Sequence, residues 1–270
     1  MPAIHIDRLV QQLNSIFEPE SPGPIFRENF KSLLEVHANL AYRAGQDIQR
    51  KSSISKYHLA PIVNHHIQNQ FSSLAKNKPE LALEYADQLW TKDYYEMKYF
   101  AAIILGSLPK ELEPEILNRF IDWGSRTTER EIHQVLFQFG TQNIRQSSTN
   151  KWLETIQTWV DSSEIANAIT AIYALQTLVS DAAFQNLPKV FKIITPLFSI
   201  KNRKITATLT SLIEDLAATN PVETAHYLSN LLLSSSYLAT RQIVRKNLKF
   251  FPPSDQKKLR FALSNAPEIE

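Results

Sequence analysis

Leu89 to Pro109 reads LWTKDYYEMKYFAAIILGSLP, the pattern of two helices meeting at a tight turn. One helix ends at the Leu89-Trp90 pair, and Thr91 or Asp93 supplies a start signal. Met97, Phe100, Ala101, Ile104 and Leu105 then follow at helical spacing. This is one unit of a helical repeat, and its recurrence decides the fold.

The unit recurs. It returns at NKPELALEYADQLW, LEPEILNRFIDWG, TNKWLETIQTWV, QNLPKVFKIITPLF and TNPVETAHYLSNLLL. Pro79, Pro114, Pro188 and Pro221 stand near the first turns of four of these, where a missing N–H costs little. The starts are separated by roughly thirty to forty residues, the spacing of HEAT-like helix pairs. Second helices are expected from Asp93 and from about Thr128, Ser163, Asn202 and Ser236. Thr128-x-x-Glu131 reads as a capping box, and Asn220-Pro221-x-Glu223 as a cap, a first-position proline and an acidic first turn.

Upstream, residues 1–76 are less regular, with a turn at SPGP (Ser21 to Pro24) and helices expected near 4–17, 25–44 and 58–76. Downstream, FPPSDQKKLRFAL reads as a capping helix within 251–270. Five glycines and few alternating Val/Ile/Thr runs argue against sheet. The expected fold is all-α: a single domain, 1–270, in which antiparallel helix pairs over 77–250 stack into an α-solenoid with a concave groove.

The 270 residues contain no cysteine, which removes disulfides, thiolate nucleophiles and Cys-ligated metals, and points to the cytoplasm. The start MPAIHIDRLV lacks the pattern of an export signal, and no apolar run reaches the length of a membrane span. The net charge of +2 hides a polarity. Residues 183–270 hold 12 Lys/Arg against 6 Asp/Glu, leaving 17 against 21 in the first 182. A basic end of this kind suits an anionic partner.

With the repeat in place, the opening stretch carries a resemblance. Leu89-Trp90 followed by Glu96, Lys98 and Ala101 resembles an element of the HEAT-like bacterial DNA alkylation repair glycosylases. So do SISKYHLAPIVNHHIQNQF, LETIQTWVDSSEIANAITAIYAL and the run from ITATLTSLIEDLAATNPVETAHYL to ATRQIVRKNLKF, covering about residues 53 to 262. The resemblance implies release of cationic N3- or N7-alkylated purines from DNA. An acidic side chain would stabilise the developing oxocarbenium charge, and tryptophans would contact the damaged nucleotide.

The family's tract resembles Asn-Trp-Asp, two variable residues, then the catalytic aspartate. Here the matching residues are Thr128-Glu129-Arg130-Glu131-Ile132-His133, with Glu129 at the tryptophan position and His133 at that of the aspartate. A neutral imidazole can act as a base but supplies no fixed negative charge. Glu131 and His133 are the catalytic candidates that remain, and Trp123 is the candidate aromatic contact in the groove. Where the family places a phosphate-binding arginine, this chain has Ile165-Ala166-Asn167-Ala168-Ile169-Thr170.

Other basic residues are candidates for the DNA backbone. Arg241, Arg245 and Lys249 fall at i, i+4 and i+8 with Lys246 adjoining, and Lys201, Arg203 and Lys204 mark a helix start. Arg126 lies just before the degenerate tract and Arg130 within it. His58, His65 and His66 lack an acidic or cysteine partner at helical spacing, so no metal is expected, and no motif asks for a cofactor. Two functions emerge: a duplex-DNA-binding relative of the glycosylases with its usual catalytic aspartate replaced, for which release of alkylated purines stays open, or a non-catalytic scaffold holding a protein partner. The uncharged run Ile165 to Val179 favours the scaffold.

Overall fold

The computed structural model describes residues 6–17, 23–38, 54–234 and 237–267. Among them every regular element is helical, in keeping with the all-α expectation, and the one β contact is an isolated bridge between Ser55 and Tyr94. The α-helices are α1 (Ile6–Phe17), α2 (Pro24–Val36), α3 (Pro61–Asn77), α4 (Pro79–Trp90), α5 (Tyr95–Ser107), α6 (Glu113–Arg126), α7 (Arg130–Gly140) and α8 (Gln142–Ser147). They continue with α9 (Thr149–Asp161), α10 (Ile165–Val179), α11 (Leu187–Ile194), α12 (Arg203–Thr219), α13 (Pro221–Ser234), α14 (Leu238–Asn247) and α15 (Pro253–Asn265).

The chain divides into two compact units, one of residues 1–123 and 127–147, the other of 124–126 and 148–270. In the first, α5 packs on α3, α4 and α7, while α1 packs on α2 and α3. Its core is aromatic. Phe26 meets Tyr85 edge-on with centroids 4.4 Å apart, Phe30 meets Phe71 at 5.5 Å, and Phe71 meets Phe100 at 5.8 Å. The close approach of α5 to α7 depends on Gly106, where a Cβ would lie 2.0 Å from the carbonyl oxygen of Phe139.

In the second unit, α10 packs on α9 and α12, α12 on α13 and α14, α11 on α9, and α15 on α13. Alternate helices therefore touch one another, as they do in the α3, α5, α7 series of the first unit. Each unit holds a tryptophan pair: Trp90 and Trp123 stack at 4.4 Å with planes 9° apart, whereas Trp152 and Trp159 meet edge-on at 5.3 Å.

The helix starts refine the expectations. Proline opens α4 and α13 at the first position and sits second in α6 and α11, and Asn202 caps α12 by accepting the N–H groups of Lys204 and Ile205 at 2.9 and 3.2 Å. Other starts fall later than expected. Helix α5 begins at Tyr95 rather than Asp93, because Thr91 instead donates to the carbonyl of Gln88 at the end of α4. Helix α10 begins at Ile165 and α14 at Leu238; Ser236 lies outside the described residues.

The capping box at Thr128 is overturned. Helix α7 starts at Arg130 with Glu129 as its N-cap and no side-chain capping bond, and Glu131 turns to another partner. In the N-terminal segment, α3 begins at Pro61 rather than residue 58. Helix α2 ends at Val36, short of the expected 44. Residues 4–5, the Ser21-Pro22 half of the turn and 39–44 of that reading lie outside the described residues. The short helix α8 was not foreseen.

Candidate nucleic-acid interface

The start of α5 is built on a loop. Segment Ile54 to Ala60 carries no helix, and it lies against Tyr94 and Tyr95, where the N–H of Tyr95 donates to the carbonyl of Ser55 at 2.9 Å. Glu96 secures the loop. Its carboxylate accepts the N–H of Tyr57 on both oxygens at 3.0 Å and that of His58 at 2.9 Å, at a residue only 4 % exposed. These bonds satisfy the acid where water cannot. They also hold His58 at φ 53°, in the left-handed region.

The clamp places Lys56 beside the degenerate tract. Its ammonium pairs with Glu131 in the first turn of α7 and stands over the Tyr95 ring, 4.6 Å from the centroid. Tyr57 stacks on Tyr94 nearby, with centroids 4.7 Å apart. Burial, followed by the Glu131 and Glu96 charges and Tyr99, pushes the Tyr95 hydroxyl up to about 12. Glu131 is thus a half-buried carboxylate whose charge is matched by a lysine.

His133 is elsewhere. It is 1 % exposed, with Nδ1 3.2 Å from the carbonyl oxygen of Glu129 and its ring 6.5 Å from that of Phe137. Trp123 is also buried, stacked on the half-buried Trp90. Lys98 stands over the Trp90 ring at 4.6 Å and donates to the Trp90 carbonyl at 2.8 Å. Burial holds this lysine below its usual range, while Asp93 at 3.7 Å opposes the shift. Arg130 is exposed at the start of α7.

The second unit carries the basic residues of the C-terminal third. Lys201, Arg203 and Lys204 are exposed around the capped start of α12, and Arg126 is exposed in the last turn of α6. Asn247 donates to the carbonyl of Thr210 at 3.1 Å, fixing the end of α14 two turns into α12. Helix α14 also touches the 3-10 turn Thr195–Ser199 that precedes α12.

The expected stripe on α14 is cut short. Arg245 is exposed on one flank and Lys246 on the other, but Lys249 lies beyond α14 in the 3-10 turn Leu248–Phe250, over the Phe250 ring at 4.7 Å. Arg241 turns back to the carbonyl oxygens of Ala266 and Pro267. Lys201, Arg203, Lys204, Arg245, Lys246 and Lys249 are all exposed in this unit.

The histidines draw no metal site together. His65 bonds Asn69 at 3.0 Å and faces His66 edge-on at 6.2 Å. Among the described residues, no group of three His, Cys, Asp or Glu is arranged to hold a metal ion. Nor is any helix among them long and apolar enough to cross a membrane.

Sequence reading missed Lys56 as a site residue and the clamp formed by Glu96. Glu96 leaves a trace, because it stands four and eight residues before Phe100 and Ile104, on a buried stripe where a carboxylate needs a partner. Lys56 leaves none, since its partner lies 75 residues away.

The comparisons with known proteins bear on this geometry. A family model described as DNA alkylation repair enzyme matches residues 42–252. No curated protein and no solved structure matches the chain.

Proposed function

The chain belongs to the DNA alkylation repair enzyme family, and from that membership we propose a protein that binds duplex DNA by its phosphate backbone and does not excise bases by the family's carboxylate route. One observation carries this reading. The residue at the catalytic-aspartate position, His133, is 1 % exposed, and the other candidate, Glu131, is paired with Lys56. Stabilising an oxocarbenium ion requires an uncompensated negative charge aimed at the sugar. Neither candidate supplies it.

The DNA contacts in this proposal are Lys201, Arg203, Lys204, Arg245 and Lys246 in the second unit and Arg130 in the first, with Arg126, Arg241 and Lys249 in supporting positions. A HEAT-like solenoid with a concave groove is part of the same reading, and the packing of alternate helices within each unit supports it. So is a cytoplasmic location without a cofactor. The scaffold alternative loses its argument: α10 is uncharged because most of it is buried against α9 and α12.

Titration of a labelled duplex, with and without an N7-alkylated purine, at two salt concentrations tests the proposal, followed by an assay for free base. Salt-sensitive binding without base release is the expected result. Base release above the uncatalysed rate overturns the non-catalytic assignment; undetectable binding at low salt overturns DNA as the partner and returns the scaffold.

A further inference from the structure

Arg241 presents half of a carboxylate site. Its Nη2 donates to the carbonyl of Ala266 at 3.1 Å and to that of Pro267, tying the segment after α15 back to α14. Its Nε, on the same edge of the guanidinium, is buried and has no acceptor among the described residues. A buried donor left unmet is costly. The edge formed by Nε and Nη2 is one that carboxylates take side-on. Arg119 shows the filled form in the first unit, where Nε and Nη2 reach the two oxygens of Asp87 at 2.8 and 2.6 Å.

The two helices that meet here offer no free acid of their own. Helix α14 contains none, and the one acid of α15, Asp255, sits in its first turn, 3.5 Å from Lys258. The next carboxylate along the chain is that of Glu268, which directly follows the Pro267 carbonyl that Arg241 already holds and lies outside the described residues. We propose that Arg241 takes the Glu268 carboxylate on its open edge, so that the chain's own acid competes with DNA phosphate for one cation of α14. Arg245, one turn further along the helix, stays exposed. The inference rests on the DNA-binding reading for its consequence but not for the pairing itself, which any polyanion reports.

The test is a double-mutant cycle in the full chain with Glu268→Gln and Arg241→Ala. It reads the slope of log affinity against log salt for a labelled duplex, and the salt that elutes each protein from immobilised heparin. Glu268→Gln alone is expected to steepen the slope by about one, as the Arg241 Nε becomes free to meet a phosphate, and to tighten binding at low salt about threefold. In the Arg241→Ala background the same change is expected to do nothing. Arg241→Gln replaces the alanine variant if melting shows that the latter is unfolded. Equal slopes for Glu268→Gln and wild type overturn the proposal, as does a gain that survives loss of Arg241, which is the effect of removing a charge at any site. If no variant binds duplex, heparin decides. Later elution of Glu268→Gln only while Arg241 is present keeps the pairing and sinks the DNA reading alone; equal elution overturns both.

Discussion

Glu96 accepts the backbone N–H of His58 at 2.9 Å, joining the first turn of α5 to a residue 38 positions earlier whose φ is 53°. The same carboxylate takes the N–H of Tyr57, so one buried side chain satisfies two loop amides. Glu96→Ala leaves those amides without an acceptor, and a loss of about 2–4 kcal/mol is expected in chemical denaturation. His58→Val puts a β-branched residue in the left-handed region and is expected to cost about 1–2 kcal/mol by the same measurement.

A second stability prediction concerns the seam between α5 and α7. Gly106→Ala would place a methyl carbon 2.0 Å from the Phe139 carbonyl oxygen, and backbone cannot give way as a side-chain end can. Overpacking of this kind is expected to lower stability by about 2–4 kcal/mol, read as a fall in melting temperature. A melting temperature within a degree of wild type would mean that the two helices separate freely.

The seam and the clamp also show what was legible from residues alone. Helix identity followed from apolar spacing and first-turn prolines, because both are local: Pro79 and Pro221 open helices where expected. Boundaries slipped where a distant group decided them. Tyr95 rather than Asp93 opens α5, with its N–H directed to Ser55, and Glu131 abandons the capping box for Lys56. Of the expected stripe, Arg245 stays exposed on α14, whereas Lys249 lies in the 3-10 turn beyond it and the carbonyls of Ala266 and Pro267 engage the Arg241 guanidinium, neither of which helical spacing reveals.

Salt dependence separates the basic residues by role. Each phosphate contact adds close to one unit to the slope of log affinity against log salt. Arg245→Ala and Lys204→Ala are each expected to reduce that slope by about one and weaken binding to all sequences alike. Arg241→Ala is expected to change the slope by less, since its guanidinium already serves Ala266 and Pro267. Equal slopes for Arg245→Ala and wild type would remove Arg245 from the interface.

Alkaline titration provides a check on the second unit. Burial pushes the Tyr227 hydroxyl up to about 12, against a hydrogen bond with Thr195 that draws it down. An unfolded tyrosine ionises near 10, so the unfolded state sheds its proton first as pH rises. Stability is unaffected by this group below about pH 10 and falls between about 10 and 12, by roughly 2 kcal/mol. Tyr227→Phe is expected to flatten that fall, and phenolate absorbance of the folded wild type to show the late ionisation.

The paired tryptophans give the molecule two separate optical signals. The chain has four indoles, and they are divided two and two: a parallel stack of Trp90 on Trp123 in one unit, and an edge-on pair of Trp152 and Trp159 in the other. Near-parallel rings at 4.4 Å couple their electronic transitions, and loss of that coupling marks the moment α4 and α6 part. Phenylalanine at 152 and 159 would silence the second unit, and phenylalanine at 90 and 123 the first. Emission during unfolding would then time each unit's loss of structure on its own clock.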